Sequence, residues 1–199
     1  MLPIFGIKSD NLFEPYSRVK RVVRLDIAFP SFDIAKQGAA FLNFENLRRL
    51  DVQSDVTSMS LLPEEIGQLH LLSELNILNF SYSDFPLWIT NLPRLKKLMI
   101  RGNDVKTIPD EIRRLSNLRK LRIENCALTE LNRSVSKLHN LRELSLVDNF
   151  KITKLSPDCL PKKLRVLNVS ASSLCNKDLS NIQYTLPKLK IYGQQTIAY

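Results

Sequence analysis

The sequence predicts an α/β solenoid in which one parallel sheet forms the concave face and short helices or 3-10 turns form the convex face. One observation is the pattern Leu-x-x-Leu-x-Leu, with aliphatic replacements, which recurs eight times in 199 residues at steps of 25, 25, 23, 23, 23, 23 and 22. The other is a helical apolar pattern that follows it in several repeats. A period of 20 to 29 residues is typical of stacked arrays, whose units bury their apolar faces against one another.

Each apolar triplet predicts one short strand. Its last two apolar residues alternate with one other residue, which is strand periodicity, so they should point inward while the intervening residues point outward. Parallel stacking about 4.8 Å apart would pair the backbones and extend one core. The triplets are Val22/Leu25/Ile27, Leu47/Leu50/Val52, Leu72/Leu75/Ile77, Leu95/Leu98/Ile100, Leu118/Leu121/Ile123, Leu141/Leu144/Leu146, Leu164/Leu167/Val169 and Leu186/Leu189/Ile191.

A bend is predicted five residues after the second apolar residue of the triplet. An asparagine there can bond backbone groups that the bend leaves unpaired, and small polar residues or an inward-pointing cysteine can partly replace it. The position holds Asp55, Phe80, Asn103, Cys126, Asn149 and Ser172 in six successive repeats.

The later part of each repeat predicts the convex layer. In residues 62–69, Leu62 and Pro63 precede Ile66 and Leu69. Apolar residues three and four apart behind a proline indicate one or two helical turns. Residues 85–92 and 108–115 repeat the spacing, and residues 131–138 do so without the proline. Because helices are wider than strands, the stack should curve with its sheet on the concave side.

The domain organisation predicted is a single domain over residues 1–199. Residues 1–21 form a flank or cap, residues 22–191 the eight repeats and residues 192–199 a tail. No apolar run approaches the roughly 20 residues that cross a bilayer. The N-terminal residues make a poor signal peptide, and the alternative that a leader was removed from a mature form stays open. Three cysteines without a Cys-x-x-Cys pair favour a reducing compartment. The cytoplasm is therefore favoured, with a secreted bacterial protein as the alternative.

These repeats resemble the leucine-rich repeat family over residues 22–191. The 23-residue period with Leu-Pro-x-x-Ile on the convex side is similar to the class found in bacterial and intracellular leucine-rich repeat scaffold proteins. The resemblance implies a non-enzymatic binding platform that uses concave strand residues and needs no cofactor. The sequence departs from the family pattern at Phe80, in an extra residue of the sixth repeat and in its lack of cysteine-bearing caps.

The concave face should carry much of the positive charge. Numbering each repeat from the first residue of its triplet, the second, third, fifth, seventh and eighth positions face this side. They hold thirteen of the 29 Lys and Arg residues and six of the 20 acids. The second and third positions, such as Lys96-Lys97 and Arg119-Lys120, form a basic strand edge that serves either solubility or attraction of an acidic partner. Aromatic residues that would stack bases are limited there to Phe29 and Tyr192, which disfavours nucleic acid.

The centre of the concave face is the predicted binding site. Apolar residues stand there beside arginines, which is the composition of an interface centre, although scattered apolar surface residues are also normal. The site residues are Asn76, Leu78, Met99, Arg101, Arg122, Glu124 and Val147.

A candidate convex contact is Leu87-Trp88. These residues stand where Glu64-Glu65 and Asp110-Glu111 stand in neighbouring repeats, and Trp88 is the single tryptophan. The indole is either an exposed anchor or, as we favour, covered by the longer loop at residues 53–62.

The sequence offers no catalytic or metal constellation. His70 and His139 are the two histidines, three repeats apart, and the five glycines never cluster as in a phosphate-binding loop. We therefore predict a non-enzymatic module that binds a protein partner, with an acidic partner as one option. The alternatives are binding of an anionic polymer or membrane surface through the basic strand edge, and a substrate-recognition subunit of an enzyme or effector complex. Self-association through the solenoid ends is also open.

Overall fold

A computed structural model describes residues 20–28, 34–54 and 61–193, and there it shows one sheet of eight parallel strands in chain order. The predicted solenoid is confirmed. Most of the predicted flank and tail, together with Phe29, Asp55 and most of the loop 53–62, lie outside the described residues. The strands are β1 (Arg24–Ala28), β2 (Arg49–Gln53), β3 (Glu74–Leu78), β4 (Lys97–Arg101), β5 (Lys120–Glu124), β6 (Glu143–Ser145), β7 (Val166–Asn168) and β8 (Lys190–Tyr192).

The register of the sheet stacks like positions on like positions in the first seven repeats. Leu98 pairs with Leu121, and Leu121 pairs with Leu144. All three side chains are at most 1% exposed. Burying one such side chain contributes roughly 1.5–3 kcal/mol, so a column of them is a major part of the stability of the array.

The convex layer consists mainly of 3-10 turns, as predicted from the apolar spacing. Pro63, Pro86 and Pro109 stand in extended conformation at the residue before their turns, where a missing N–H costs nothing. Each of these turns buries an isoleucine against the sheet. The turns are Ile34–Gln37, which continues into the short helix Gly38–Phe41, Glu64–Gln68, Leu87–Asn91, Asp110–Arg114, Arg133–Lys137 and Pro157–Cys159.

The eighth repeat differs from its prediction. The sequence pattern aligns Leu189 with Leu167, but the structure pairs Ile191 with Leu167, which moves the last strand by two residues. The reason is the helix Asn176–Thr185, the longest in the described residues. An α-helix rises only 1.5 Å per residue against 2.0 Å for a 3-10 helix, so spanning the convex side here takes more residues.

After each of the strands β3 to β7, the chain leaves the sheet at the eighth position of the repeat, where the backbone adopts the left-handed conformation. The backbone φ angles are 59° at Asn79, 66° at Gly102, 47° at Asn125, 59° at Asp148 and 54° at Ala171. Gly, Asn and Asp adopt this conformation at low cost, whereas alanine is strained in it. The corner turns the chain from the sheet toward the predicted bend.

The bend asparagines bond backbone groups of their own repeat and of the one before, as predicted. Asn103 Nδ2 donates to the Arg101 carbonyl at 2.9 Å, and its Oδ1 accepts from the Tyr82 N–H at 3.3 Å. Cys126 lies half-buried at the same position, with Sγ 3.3 Å from the Glu124 carbonyl. Phe80, which cannot bond, is instead buried and packs against the Tyr82 ring.

Candidate binding surface

Ion pairs form a ladder across the concave face from β1 to β6. Third-position bases alternate with acids on the same strand or the next, so the bases of this row are largely neutralised. The N–O distances are 3.0 Å for Arg24–Asp26, 3.4 Å for Arg24–Asp51, 2.6 Å for Arg49–Asp51, 3.0 Å for Arg49–Glu74, 2.6 Å for Lys97–Glu74 and 2.7 Å for Lys120–Glu143.

The pKa values of Asp26 and Asp51, the two aspartates of this ladder, are shifted in opposite directions. Burial, reinforced by a hydrogen bond with Asp51, raises the pKa of Asp26. Burial of Asp51 also opposes its ionisation, but hydrogen bonds with Arg49, Asp26 and Asn76 outweigh burial and lower its pKa. Asn76 Nδ2 donates to Asp51 Oδ1 and extends the ladder to β3. This end of the face is therefore a fixed array of internally satisfied groups.

Six of the seven predicted site residues lie on the adjacent strands β3 to β5 at the centre of the sheet, and the seventh, Val147, lies just after β6. Asn76, Met99 and Arg122 are direct register partners on β3, β4 and β5. Leu78, Arg101 and Glu124 are partners in the row two residues further along the same strands. Val147 follows β6, where its carbonyl accepts from the Asn125 N–H at 2.9 Å. The structure thus gathers these side chains on one surface two rows wide.

The polarity of this centre is more mixed than the sequence pattern implies. Arg101 and Glu124 stand between Leu78 and Val147 in their row, so Val147 is separate from the apolar pair formed by Leu78 and Met99. Glu124 accepts a hydrogen bond from Ser145 Oγ at 2.6 Å.

The two central arginines carry positive charge outward. Arg101 and Arg122 are exposed, and within the described residues no ion pair satisfies either of them. Arg122, together with Asn76 and Met99, lines a shallow depression of about 240 Å³. Unpaired guanidinium groups beside half-buried apolar side chains are suited to contact a protein surface.

The second-position row forms a separate basic edge that the ion-pair ladder does not reach. Among the described residues, none of its bases joins an acid within 4 Å. Arg142 instead donates to the carbonyls of His139 and Leu141, both at 3.0 Å. The basic edge consists of Arg48, Lys96, Arg119, Arg142 and Arg165.

The convex pair splits into one exposed and one buried residue. Leu87 is 56% exposed, but Trp88 is only 6% exposed and belongs to the core. The idea of Trp88 as an exposed anchor is therefore wrong. Gly67 of the preceding repeat lies against the Trp88 backbone and Cβ, where a larger side chain would collide. Of this pair, only Leu87 is available for contact.

Two features of the surface escape sequence reasoning. One is the ion-pair ladder, which needs the strand register before its partners can be matched. The other is a second row of asparagines just before the triplets. Asn117 donates to the Pro93 carbonyl at 2.8 Å, and Asn140 donates to the Ser116 carbonyl at 2.9 Å. Their common place one residue before a triplet leucine was the available signal.

The described residues contain no group of three or more His, Cys, Asp and Glu side chains arranged to hold a metal. Both histidines are exposed. Burial raises the pKa of the Cys126 thiol to about 11, which opposes formation of a thiolate nucleophile. In the part of the chain that the structure describes, no helix is long and apolar enough to cross a membrane.

The protein-family comparison matches residues 23–193 to the family described as a leucine-rich repeat region. No curated protein matches the sequence.

Solved structures with this architecture include a leucine-rich repeat protein of Leptospira interrogans, at 23% identity and a TM-score of 0.62 over 89% of this chain and 50% of that one. The leucine-rich repeat domain of the type III effector XopL has 18% identity and a TM-score of 0.64, covering 90% of this chain and 71% of that one. Drosophila Toll, in its complex with Spatzle, has 16% identity and a TM-score of 0.72, and the match covers 85% of this chain and 23% of that one. The chain thus spans half of the Leptospira protein and about a quarter of Toll, and these likenesses show the fold.

Proposed function

The chain belongs to the leucine-rich repeat family, and from that premise we propose that it binds a protein partner through the centre of its concave face. The fold supports a protein-interaction module in general. The observation that supports this particular site is that Arg101 and Arg122, beside Met99 and Leu78, have no ion-pair partner among the described residues, whereas the third-position bases of β2, β4 and β5 are paired.

The physical argument rests on what the partner would replace. A partner acid would find Arg101 and Arg122 with no protein partner to displace, whereas Arg49 is already engaged by Asp51 and Glu74. Arginine and methionine are both enriched in interface cores, and buried charge pairs with good geometry set specificity. The proposed contact set is therefore Asn76, Leu78, Met99, Arg101, Arg122, Glu124 and Val147.

The test is a pull-down with the purified chain as bait, using a double variant of the site and a matched variant elsewhere. Met99→Ala with Arg101→Glu removes one apolar contact and reverses one charge on the concave face. Leu87→Ala with Arg113→Glu makes the same kinds of change on the convex side, where both side chains are exposed. Circular dichroism checks that both variants keep the native fold.

The expected result is that a partner captured by the wild-type chain is lost with the concave variant and retained with the convex one. Truncating a hot-spot residue of an interface costs about 2 kcal/mol or more, which is roughly a thirtyfold loss of affinity. A partner that binds both variants as well as the wild type would remove the concave centre as the site.

A second candidate function is binding of an anionic polymer or membrane surface. It is favoured because the basic edge has no acidic partners among the residues that the structure describes. Counterion release makes such binding fall steeply with salt and depend little on the sequence of the polymer. Titrating the chain with a single-stranded oligonucleotide and with vesicles containing phosphatidylserine, at low and physiological salt, tests it. Absence of binding to both at low salt would eliminate this candidate.

A further inference from the structure

The basic edge ends in a cluster of six cations around a depression of about 550 Å³, which we term the C-terminal cluster. We propose that this cluster holds an acidic segment of the protein partner, rich in Asp and Glu. The inference rests on the proposed function, because it treats the segment as part of the partner that contacts the concave face. The cluster consists of Arg142, Lys162, Lys163, Arg165, Lys188 and Lys190.

Backbone hydrogen bonds fix three of the cations at or just before the first residues of β6, β7 and β8. The Arg165 N–H donates to the Arg142 carbonyl, and the Lys190 N–H donates to the Arg165 carbonyl, both at 2.9 Å. Neighbouring strands are about 4.8 Å apart, so the backbones that carry these three cations lie close together. Lys162 and Lys163 are exposed on the tight turn that precedes β7. The two-residue shift of β8 makes Lys190 the register partner of Val166, in the row next to that of Arg142 and Arg165.

The cluster has no internal neutralisation. Its lining contains no acid, and among the described residues none of the six cations joins an acid within 4 Å. The nearest acid along the sheet, Glu143, is already paired with Lys120 at 2.7 Å. Six like charges line a single depression, and at low ionic strength, where the Debye length is long, salt screens their repulsion only partly. An acidic ligand would relieve this repulsion, and its approach would be accelerated by the local potential.

The surroundings favour a polypeptide over nucleic acid or a membrane. No aromatic side chain lines the depression, so bases would find nothing to stack on. Its apolar lining is Leu164, which is buried, and Val166, which is half-buried, so neither protrudes to enter a bilayer. A recessed aliphatic floor beneath a ring of cations fits an extended chain that carries both carboxylates and aliphatic side chains. The cluster is also continuous with the concave sheet, which lets one partner reach both surfaces.

The experiment measures binding of a fluorescein-labelled peptide of alternating Glu and Leu by fluorescence anisotropy, with a Gln–Leu peptide as the uncharged comparison. The test variant is Lys162→Glu with Lys163→Glu and Lys188→Glu. The matched control is Lys106→Glu with Lys151→Glu and Lys154→Glu, which changes the net charge equally. These three lysines are exposed and follow the opposite ends of the strands.

The proposal expects the cluster variant to weaken binding of the acidic peptide by about tenfold or more, and the control variant by about twofold at most. Equal losses in both variants would overturn it, because net charge alone would then explain the binding. Tighter binding of a single-stranded oligonucleotide or of phosphatidylserine vesicles, lost in the same cluster variant, would also overturn it.

The two proposals can fail separately. Met99→Ala with Arg101→Glu is expected to leave the affinity for the acidic peptide within about twofold, because Arg101 lies outside the cluster lining. Partner capture that survives this double variant, together with peptide binding lost in the cluster variant, would reject the concave centre and keep the cluster. Partner capture that is lost in the concave variant but unaffected by the cluster variant would reject the cluster.

Discussion

Asn149 is the most connected of the bend asparagines, and its replacement by alanine is the sharpest test of how the repeats are joined. The side chain is fully buried. Its Nδ2 donates to the carbonyls of Ile123 at 2.7 Å, Leu146 at 3.0 Å and Val147 at 3.2 Å. Its Oδ1 accepts from the Leu128 N–H at 3.3 Å. The amide thus joins the sixth repeat to the fifth.

The expected cost of Asn149→Ala follows from the groups that lose this partner. Val147 O keeps its bond from the Asn125 N–H, so the loss falls on Ile123 O, Leu146 O and the Leu128 N–H. A buried polar group left without its hydrogen bond costs about 1–3 kcal/mol. Three groups at the low end of that range lower the free energy of unfolding by about 3 kcal/mol.

The assay is urea unfolding, monitored by far-UV circular dichroism and by the fluorescence of the buried Trp88. Coincidence of the two curves checks that the array unfolds cooperatively, since Trp88 reports from the third repeat. Asn117→Ala is the matched control. It also removes an inter-repeat hydrogen bond, to Pro93 O, but from an exposed asparagine, and water can replace it. We expect a loss of at most about 1 kcal/mol there.

Equal destabilisation by the two substitutions would refute the reasoning. Equal losses would mean that burial of the Asn149 amide does not increase the loss of unfolding free energy. The loss would then depend only on removing an inter-repeat hydrogen bond, whether that bond is buried or exposed.

Three further predictions concern single positions. Ala171→Gly should relieve the left-handed strain at φ 54° and raise the free energy of unfolding by about 1 kcal/mol. The control Ala127→Gly, at a residue outside the left-handed region, should lower the free energy of unfolding by about as much. Urea midpoints that move in the same direction for both variants would contradict this prediction. Iodoacetamide at mildly alkaline pH should alkylate exposed Cys175 before Cys126, whose pKa burial raises to about 11, and peptide mass mapping would show otherwise if the two reacted together. Burial raises the pKa of Tyr82 from 10.0 to about 12, so its contribution to stability is complete below pH 10 and is lost as the pH rises toward 12. Tyr82→Phe should flatten that part of the stability profile, measured by urea unfolding across the alkaline range, and an unchanged slope would count against it.

The fold was predictable because one signal repeats. Leu98, Leu121 and Leu144 occur at the same phase of successive units, and a single strand assignment therefore fixes the register of its neighbours. The 3-10 turns were predicted equally well from each proline and the isoleucine three residues after it in the chain. The prediction failed at the eighth repeat, where the helix Asn176–Thr185 carries only Leu179 and Ile182 as buried residues. This apolar pattern is too sparse to reveal that a longer helix had replaced a turn.

The candidate site was predictable only as a set of positions. The alternation in β3 to β5 places Asn76, Met99 and Arg122 on the outer face without any knowledge of distances. Whether a charge on that face is free depends on side chains 23 to 25 residues away, as with Arg49 and Glu74. Sequence counting therefore treated the paired third-position bases and the unpaired basic edge as one surface, although they differ electrostatically.

Strand length changes along the sheet, and this has a dynamic consequence. The strands β1 to β5 contain five residues each, whereas β6 to β8 contain three. Fewer ladder hydrogen bonds hold the shorter strands, so amide protons there should exchange with solvent through openings of lower free energy. The C-terminal cluster stands on this more easily opened portion. A ligand that contacts Arg142, Arg165 and Lys190 together would stabilise the pairing of these three short strands. Its binding should therefore slow deuterium uptake by the backbone amides of β7 and β8.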